Sequence, residues 1–261
     1  MNATTNKLSF KSIYTDFLEI TKARLAISVV FSSIAGFMLG ISSIHSLDWM
    51  VLVKLAIGGY CMVGASNAFN QVIEKELDVL MDRTKNRPVP SNRMSPNNAL
   101  TIAFLLTIIG VVLLYTINEK TAMFGAISIF IYTCIYTPLK TITPLSVFVG
   151  AFPGAIPFML GWVAATGNFG IEAGILFLIQ FFWQFPHYWA IAWVVDEDYS
   201  KAGFRMLPSK EGRDRVTAMF SICYSLLLVP VGMLPTYFGW CGNIALWVNT
   251  FAGLLMLFYA F

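Results

Sequence analysis

Apolar residues fill eight long runs of this chain, near 25–44, 50–69, 99–117, 121–138, 144–165, 172–194, 216–235 and 242–261. Each holds about 17 to 23 residues, the length of one bilayer crossing by an α-helix. The pattern predicts an all-α polytopic transmembrane bundle of eight spans. Residues 1–24 are polar and lead straight into a full-length span, with no short cleavable apolar segment, so the first span is expected to stay as an anchor. The connections near 42–49, 118–121, 166–171 and 236–242 are short, whereas 70–98 and 195–215 are long and charged. No soluble domain or low-complexity tract interrupts the plan, so residues 1–261 read as one domain. Pro88 and Pro90 are expected to end the helix entering the first long loop, because proline lacks the amide donor and clashes with the preceding turn. Pro153 and Pro157, with Gly150, Gly154 and Gly161, predict a kinked or closely packed fifth span, and Pro186 does the same for the sixth.

Composition agrees: 57% of residues are hydrophobic and 12% charged, and the mean hydropathy is +0.70, far above a soluble domain. Basic residues set the orientation, since cytoplasmic loops collect Lys and Arg. Threading the spans from a cytoplasmic N-terminus leaves only Lys54 and Lys120 outside among 17 Lys and Arg residues. The inside set includes Lys7, Lys11, Lys22, Arg24, Lys210, Arg213 and Arg215. The net charge of +3 therefore reflects topology, and no nucleic-acid partner is implied. Cys61, Cys134, Cys223 and Cys241 include no Cys-x-x-Cys pair, which argues against zinc or a disulfide framework.

The chemistry is concentrated where the apolar runs stop. Asn70, Glu74 and Asp78 are spaced i, i+4, i+8, so on a helix they share one face and can converge oxygen ligands on a cation such as Mg²⁺. Arg83, Lys85 and Arg87 follow. A divalent ion beside fixed cations is what a diphosphate needs for binding and for leaving. A merely solvated loop would not require that spacing. The second loop repeats the plan, with Asp196, Glu197 and Asp198 ahead of Lys201, Arg205 and Lys210, as if the two loops were facing halves of one site. Asn67, one turn before Asn70, extends the site or bonds between helices. Lys22 and Arg24 are substrate contacts or topology anchors. His187, with Gln184 and Gln180, forms a polar stripe expected to face inward, where intramembrane polar groups are functional candidates. The 22 Phe, 7 Trp and 10 Tyr offer a π-rich chamber that could keep an allylic cation from water. A secondary transporter would instead place its charges at the midplane within inverted repeats, and neither is seen.

The order Asn-x₃-Glu-x₃-Asp-x₂-Met-x-Arg-Thr-x₂-Arg-Pro over residues 70–88 resembles the signature of the UbiA-type intramembrane prenyltransferases. Thr21-Lys22-Ala-Arg24, Tyr136-Thr-Pro-Leu-Lys140, Gly154-Ala-Ile-Pro157 and Gly161-Trp162 add to it. Trp183-Gln-Phe-Pro-His187 and the block from Asp198-Tyr199 to Met206-Leu-Pro208 point to the haem-farnesylating branch. The resemblance implies transfer of a farnesyl group from farnesyl diphosphate to a vinyl group of haem B, with Mg²⁺ as cofactor. Water then captures the new cation, and the product supplies a haem A synthase or terminal-oxidase assembly. It assigns catalysis to Asn70, Glu74, Asp78, Arg83, Lys140 and Asp198, with Asn70, Glu74, Asp78 and Asp198 as metal ligands. Substrate contacts fall on Arg24, Asn67, Arg87, Tyr136, His187, Asp196, Tyr199 and Lys201, with His187 an axial haem ligand, an orienting donor or a core residue. It also implies a bacterial inner-membrane protein with cytoplasmic motif loops, usually of nine spans where eight are found here. Three positions depart from the pattern: Glu74 stands where Asp is usual, the second acidic motif is not Asp-x₃-Asp, and Thr141 replaces a frequent basic residue. The competing acceptor is an aromatic acid or quinone precursor.

Overall fold

The structure, a computed structural model, describes residues 10–43, 45, 47–209 and 211–260. Lys7, Lys210 and Phe261, used above for topology and span length, lie outside the described residues, as does the side chain of Lys11. Every regular element among the described residues is helical. An amphipathic helix α1 (Phe10–Ile20) precedes α2 (Ala23–Gly40) and α3 (Trp49–Ile73), and the short α4 (Lys75–Asp78) extends α3. Then come α5 (Pro96–Tyr115) and α6 (Glu119–Phe130), the latter running through a π-helical stretch, Ile131–Tyr136, into the single turn α7 (Thr137–Leu139). The chain continues through α8 (Leu145–Thr166), α9 (Ile171–Val194), the short α10 (Asp196–Lys201), α11 (Arg215–Tyr237) and α12 (Asn243–Ala260). Side-chain caps begin several of these: Asp48 for α3, Ser95 with Pro96 behind it for α5, Asn118 for α6 and Asp214 for α11.

Among the described residues, six helices are both long and apolar enough to cross a membrane: α2, α3, α5, α6 through α7, α8 and α11. The expected count of eight is thereby corrected. Helix α9 has the length, at 24 residues, but Gln180, Gln184, Pro186 and His187 dilute its hydropathy. Of α12, the fully described part, Asn243–Tyr259, is apolar but shorter than these six.

Helix α8 sits at the centre, packed on α2, α6 and α9, and is far more buried than the other spans. Glycine makes this possible. A Cβ at Gly161 would collide with the Ser33 carbonyl, and one at Gly36 with the Phe158 carbonyl, so α2 and α8 touch backbone to backbone. Pro157 has no amide to give the Pro153 carbonyl, and Ser128 Oγ of α6 donates to that carbonyl instead at 3.3 Å. The span is closely packed, and α8 runs as one helix from Leu145 to Thr166 through both prolines. Helices α11 and α12 pack on each other beyond α9.

The first long loop corrects a second expectation. The helix carrying its acids ends at Asp78, ten positions before Pro88. Here the Thr84 hydroxyl donates to the Asp78 carbonyl at 2.8 Å and folds the chain back, so a side-chain bond rather than proline ends the helix.

Candidate active site

The joint between α3 and α4 keeps its helical hydrogen bonds: the Glu74 amide donates to the Asn70 carbonyl at 2.9 Å and the Asp78 amide to the Glu74 carbonyl at 2.8 Å. Asn70, Glu74 and Asp78 consequently stay on one face, and all three are buried. Such burial is costly for carboxylates unless cations answer them. Lys140 Nζ meets Glu74 Oε1 at 2.7 Å, and Arg87 Nη1 meets Asp78 Oδ2 at 2.9 Å. Asp78 Oδ1 is buried with no partner.

Lys140 follows α7, and the π-helical stretch determines what surrounds it. There the Thr137 hydroxyl donates to the Tyr132 carbonyl five residues back, at 2.8 Å, and Asn70 Nδ2 reaches Thr137 Oγ1 at 3.5 Å. The widened turn sets the Tyr132 and Tyr136 rings 5.2 Å apart, and Lys140 Nζ lies 4.7 Å from the Tyr136 ring centroid and 5.6 Å from that of Phe204. Burial is the largest single influence on the Lys140 ammonium and depresses it, but the Glu74 charge and hydrogen bond, joined by the Tyr132 and Tyr199 hydroxyls, together outweigh it and the pKa is raised.

These groups line one cavity of about 120 Å³, with Asn70, Glu74 and Asp78 facing Lys22, Arg83, Arg87 and Lys140, and with Tyr132, Tyr136, Tyr199 and Phe204 completing the wall. Lys22 was undecided in the sequence, and the structure decides for the cavity. Its backbone is left-handed, at φ 46° and ψ 57°. That turn is pinned from α3: Asn67 Nδ2 donates to the Thr21 carbonyl at 3.2 Å, and Gln71 Nε2 to the Glu19 and Ile20 carbonyls at 3.3 and 3.4 Å. A non-glycine residue held at positive φ is strained and persists only where its surroundings enforce it. Burial first, then Arg87 and Lys140, lower the Lys22 pKa to about 7. The signal that could have found it was the pair of polar residues flanking Asn70 on α3, Asn67 one turn before it and Gln71 directly after it.

Other candidates lie elsewhere. Asn67 bonds between helices. Arg24 is exposed and does not line the cavity. Asp196 turns toward Arg213, 3.5 Å away. Asp198 accepts from the Asp82 and Arg83 amides at 2.8 and 3.1 Å, and Lys201 bridges Asp82 and Asp198 at 2.5 and 3.2 Å. Neither Asp198 nor Lys201 lines the cavity, whereas Arg83 and Tyr199 do. His187 is exposed on α9 and stacks on Trp183, ring centroids 4.6 Å apart. Only Gln184 of its stripe is fully buried, with its amide on the Ala151 carbonyl at 3.1 Å.

The cavity thus sets a buried face of amide and carboxylates opposite fixed cations, a chemistry suited to a multiply charged anion together with a metal ion. Residues 29–261 match the model of the UbiA prenyltransferase family. The chain belongs to the UbiA prenyltransferase family.

Like other members of that family, it is a prenyltransferase enzyme and an integral membrane protein. It is 66% identical to a protoheme IX farnesyltransferase of Flavobacterium johnsoniae, over 100% of this chain and 88% of that protein. Identity to the protein of the same name from Flavobacterium psychrophilum is 64% over the same shares, and to that from Cytophaga hutchinsonii 45% over 93% of this chain and 84% of the relative. Among solved UbiA-fold structures, a digeranylgeranylglyceryl phosphate synthase superposes with a TM-score of 0.78 at 20% identity, covering 95% of this chain and 86% of that one. A UbiA homologue from Archaeoglobus fulgidus, solved bound to DMAPP and Mg²⁺, superposes with a TM-score of 0.76 at 16% identity, covering 94% and 84%. These likenesses establish the UbiA fold.

Proposed function

We propose that this chain is a haem O synthase: it transfers the farnesyl group of farnesyl diphosphate to a vinyl group of haem B, with addition of water, releasing diphosphate. The observation that carries the reading is the cavity in which Asn70, Glu74 and Asp78 face Lys22, Arg83, Arg87 and Lys140. The names of relatives sharing up to 66% identity supply the donor and acceptor.

Breaking the C–O bond to diphosphate becomes easy only when the departing charge is neutralised. Lys22, Arg87 and Lys140 line the cavity walls, and Arg83 stands exposed at its mouth. Lys140 and Arg87 are held by Glu74 and Asp78 until an anion enters. The Tyr132 and Tyr136 rings flank the same space and supply π-faces to a developing allylic cation. The wall of Met81, Phe204 and Met206 keeps water from it.

Among the described residues, no three His, Cys, Asp or Glu side chains cluster as a protein-only metal cage. Mg²⁺ does not need one, since it commonly takes one or two carboxylates together with substrate phosphates. The unpartnered Asp78 Oδ1 and the two-carboxylate-plus-amide face fit that mode, so Asn70, Glu74 and Asp78 would hold the ion. When bound, Mg²⁺ supplies charge neutralisation of the leaving diphosphate. The acceptor needs no strong base in this reading, because porphyrin conjugation stabilises the cation formed at the vinyl group.

The excess of bases at the cavity end supports a cytoplasmic orientation of that end, and the bacterial relatives support placement in an inner membrane. Its product would feed a haem A synthase or a terminal oxidase. The test is label transfer from radiolabelled farnesyl diphosphate by detergent-purified protein, offered haem B in one reaction and an aromatic acid in another. Label in haem alone supports the assignment, and label in the aromatic acid alone replaces the acceptor.

A further inference from the structure

Two loops distant in sequence are fastened together beside the cavity. Asp198, in α10, places one carboxylate oxygen 2.8 Å from the Asp82 amide and the other 3.1 Å from the Arg83 amide. Lys201, one turn on, donates to Asp82 at 2.5 Å and to Asp198 at 3.2 Å. Tyr199, between them, meets the guanidinium of Arg83: Nη2 lies 3.3 Å from the hydroxyl and Cζ lies 5.5 Å from the ring centroid. Both Asp198 oxygens are therefore engaged along the seam between the loops, and Asp198 is absent from the cavity lining while Arg83 and Tyr199 are part of it.

We propose that Asp198 is a positioning residue rather than a metal ligand: by accepting the Asp82 and Arg83 amides it fixes the backbone from which the Arg83 guanidinium reaches the mouth of the diphosphate cavity. Bonds from amides to a carboxylate are charge-assisted and directional, so they set where Arg83 begins. Tyr199 then sets where it ends. Lys201 closes the clasp by neutralising Asp82 and Asp198 together, which removes the repulsion between two carboxylates that share a seam. The Lys201 and Lys85 ammoniums hold Asp82 down at about 2, so the outer bridge persists through mildly acidic pH.

The proposal rests on reading the cavity as a diphosphate site, and three readouts keep the two separable. The first is amide hydrogen exchange of the segment 80–84 in metal-free protein. The second is the Kd of farnesyl thiodiphosphate, an inert donor analogue that needs no acceptor. The third is the Mg²⁺ concentration giving half-maximal analogue binding. Asp198→Ala should speed exchange in that segment, weaken the analogue about tenfold as expected for lost charge-assisted hydrogen bonds, and leave the Mg²⁺ midpoint within about twofold. Asp198→Asn, which keeps one acceptor, should fall between Asp198→Ala and wild type. Lys201→Ala, a change at a half-exposed side chain, should move the same readouts less. In an Arg83→Ala background Asp198→Ala should add little, since residues acting through one another are non-additive. Unchanged exchange with a Mg²⁺ midpoint raised tenfold would make Asp198 a metal ligand and overturn the proposal, as would full additivity with Arg83→Ala. Failure of the wild type to bind the analogue would count against the diphosphate reading alone, because exchange would still report on the clasp.

Discussion

Lys140 and Glu74, 66 positions apart, form an ion pair of 2.7 Å in which both side chains are buried. The pair joins the end of α3 to the turn after α7 and stands in the wall of the cavity that Lys22, Arg83 and Arg87 also line. It holds two charges in readiness: an entering anion can take Lys140, and a cation can take Glu74.

Removing one member of such a pair should cost far more than removing both. Lys140→Met leaves Glu74 buried and unanswered, an expected loss of about 3–5 kcal/mol. Lys140→Met combined with Glu74→Gln should regain most of that stability and none of the activity. Thermal unfolding in detergent beside a turnover assay checks this; single and double variants melting together would mean the pair does not carry the stability.

Asp78→Asn should abolish turnover, by on the order of 10² to 10³ or more, while the protein still inserts and extracts normally. The change keeps the shape but removes the charge that faces Arg87 and an unpartnered oxygen. Full activity would sink the assignment of Asp78 to the metal-binding face.

Much of this was legible in the sequence, and the exceptions have physical causes. The i, i+4, i+8 spacing of Asn70, Glu74 and Asp78 survives because helical bonds run unbroken through the α3–α4 joint. Run length located the spans, but α9 carries Gln180, Gln184 and His187 and so reads weakly apolar. Lys22 was ambiguous because its placement depends on a left-handed turn pinned from α3, a tertiary effect without local signature. The π-helical stretch at Ile131–Tyr136 likewise left no mark in the periodicity. The acids of the second loop looked equivalent, yet Asp196 pairs with Arg213 whereas Asp198 caps the Asp82 and Arg83 amides. Spacing could not separate them.

Gly161→Ala should destabilise the bundle by about 1–3 kcal/mol, the usual cost of overpacking, since the added methyl meets the Ser33 carbonyl. Gly174→Ala, where nothing lies within 4 Å of the added methyl, serves as the control. Equal melting of the two variants would show that α2 and α8 can separate at little cost.

His187→Ala should weaken haem binding while leaving the farnesyl diphosphate KM near that of wild type, because His187 is exposed beside Trp183 and is not in the cavity wall. Titration of the Soret band reads the first effect and steady-state kinetics the second. Unchanged haem affinity with normal rates would assign His187 to packing.

The central claim is that this cavity joins a farnesyl group to haem. The direct measurement is mass analysis of haem extracted after incubating the purified protein with haem B, farnesyl diphosphate and Mg²⁺. The account predicts a product heavier than haem B by one farnesyl group plus water, absent from the Asp78→Asn protein. Haem B recovered unaltered, by a protein that still binds farnesyl thiodiphosphate, would contradict it.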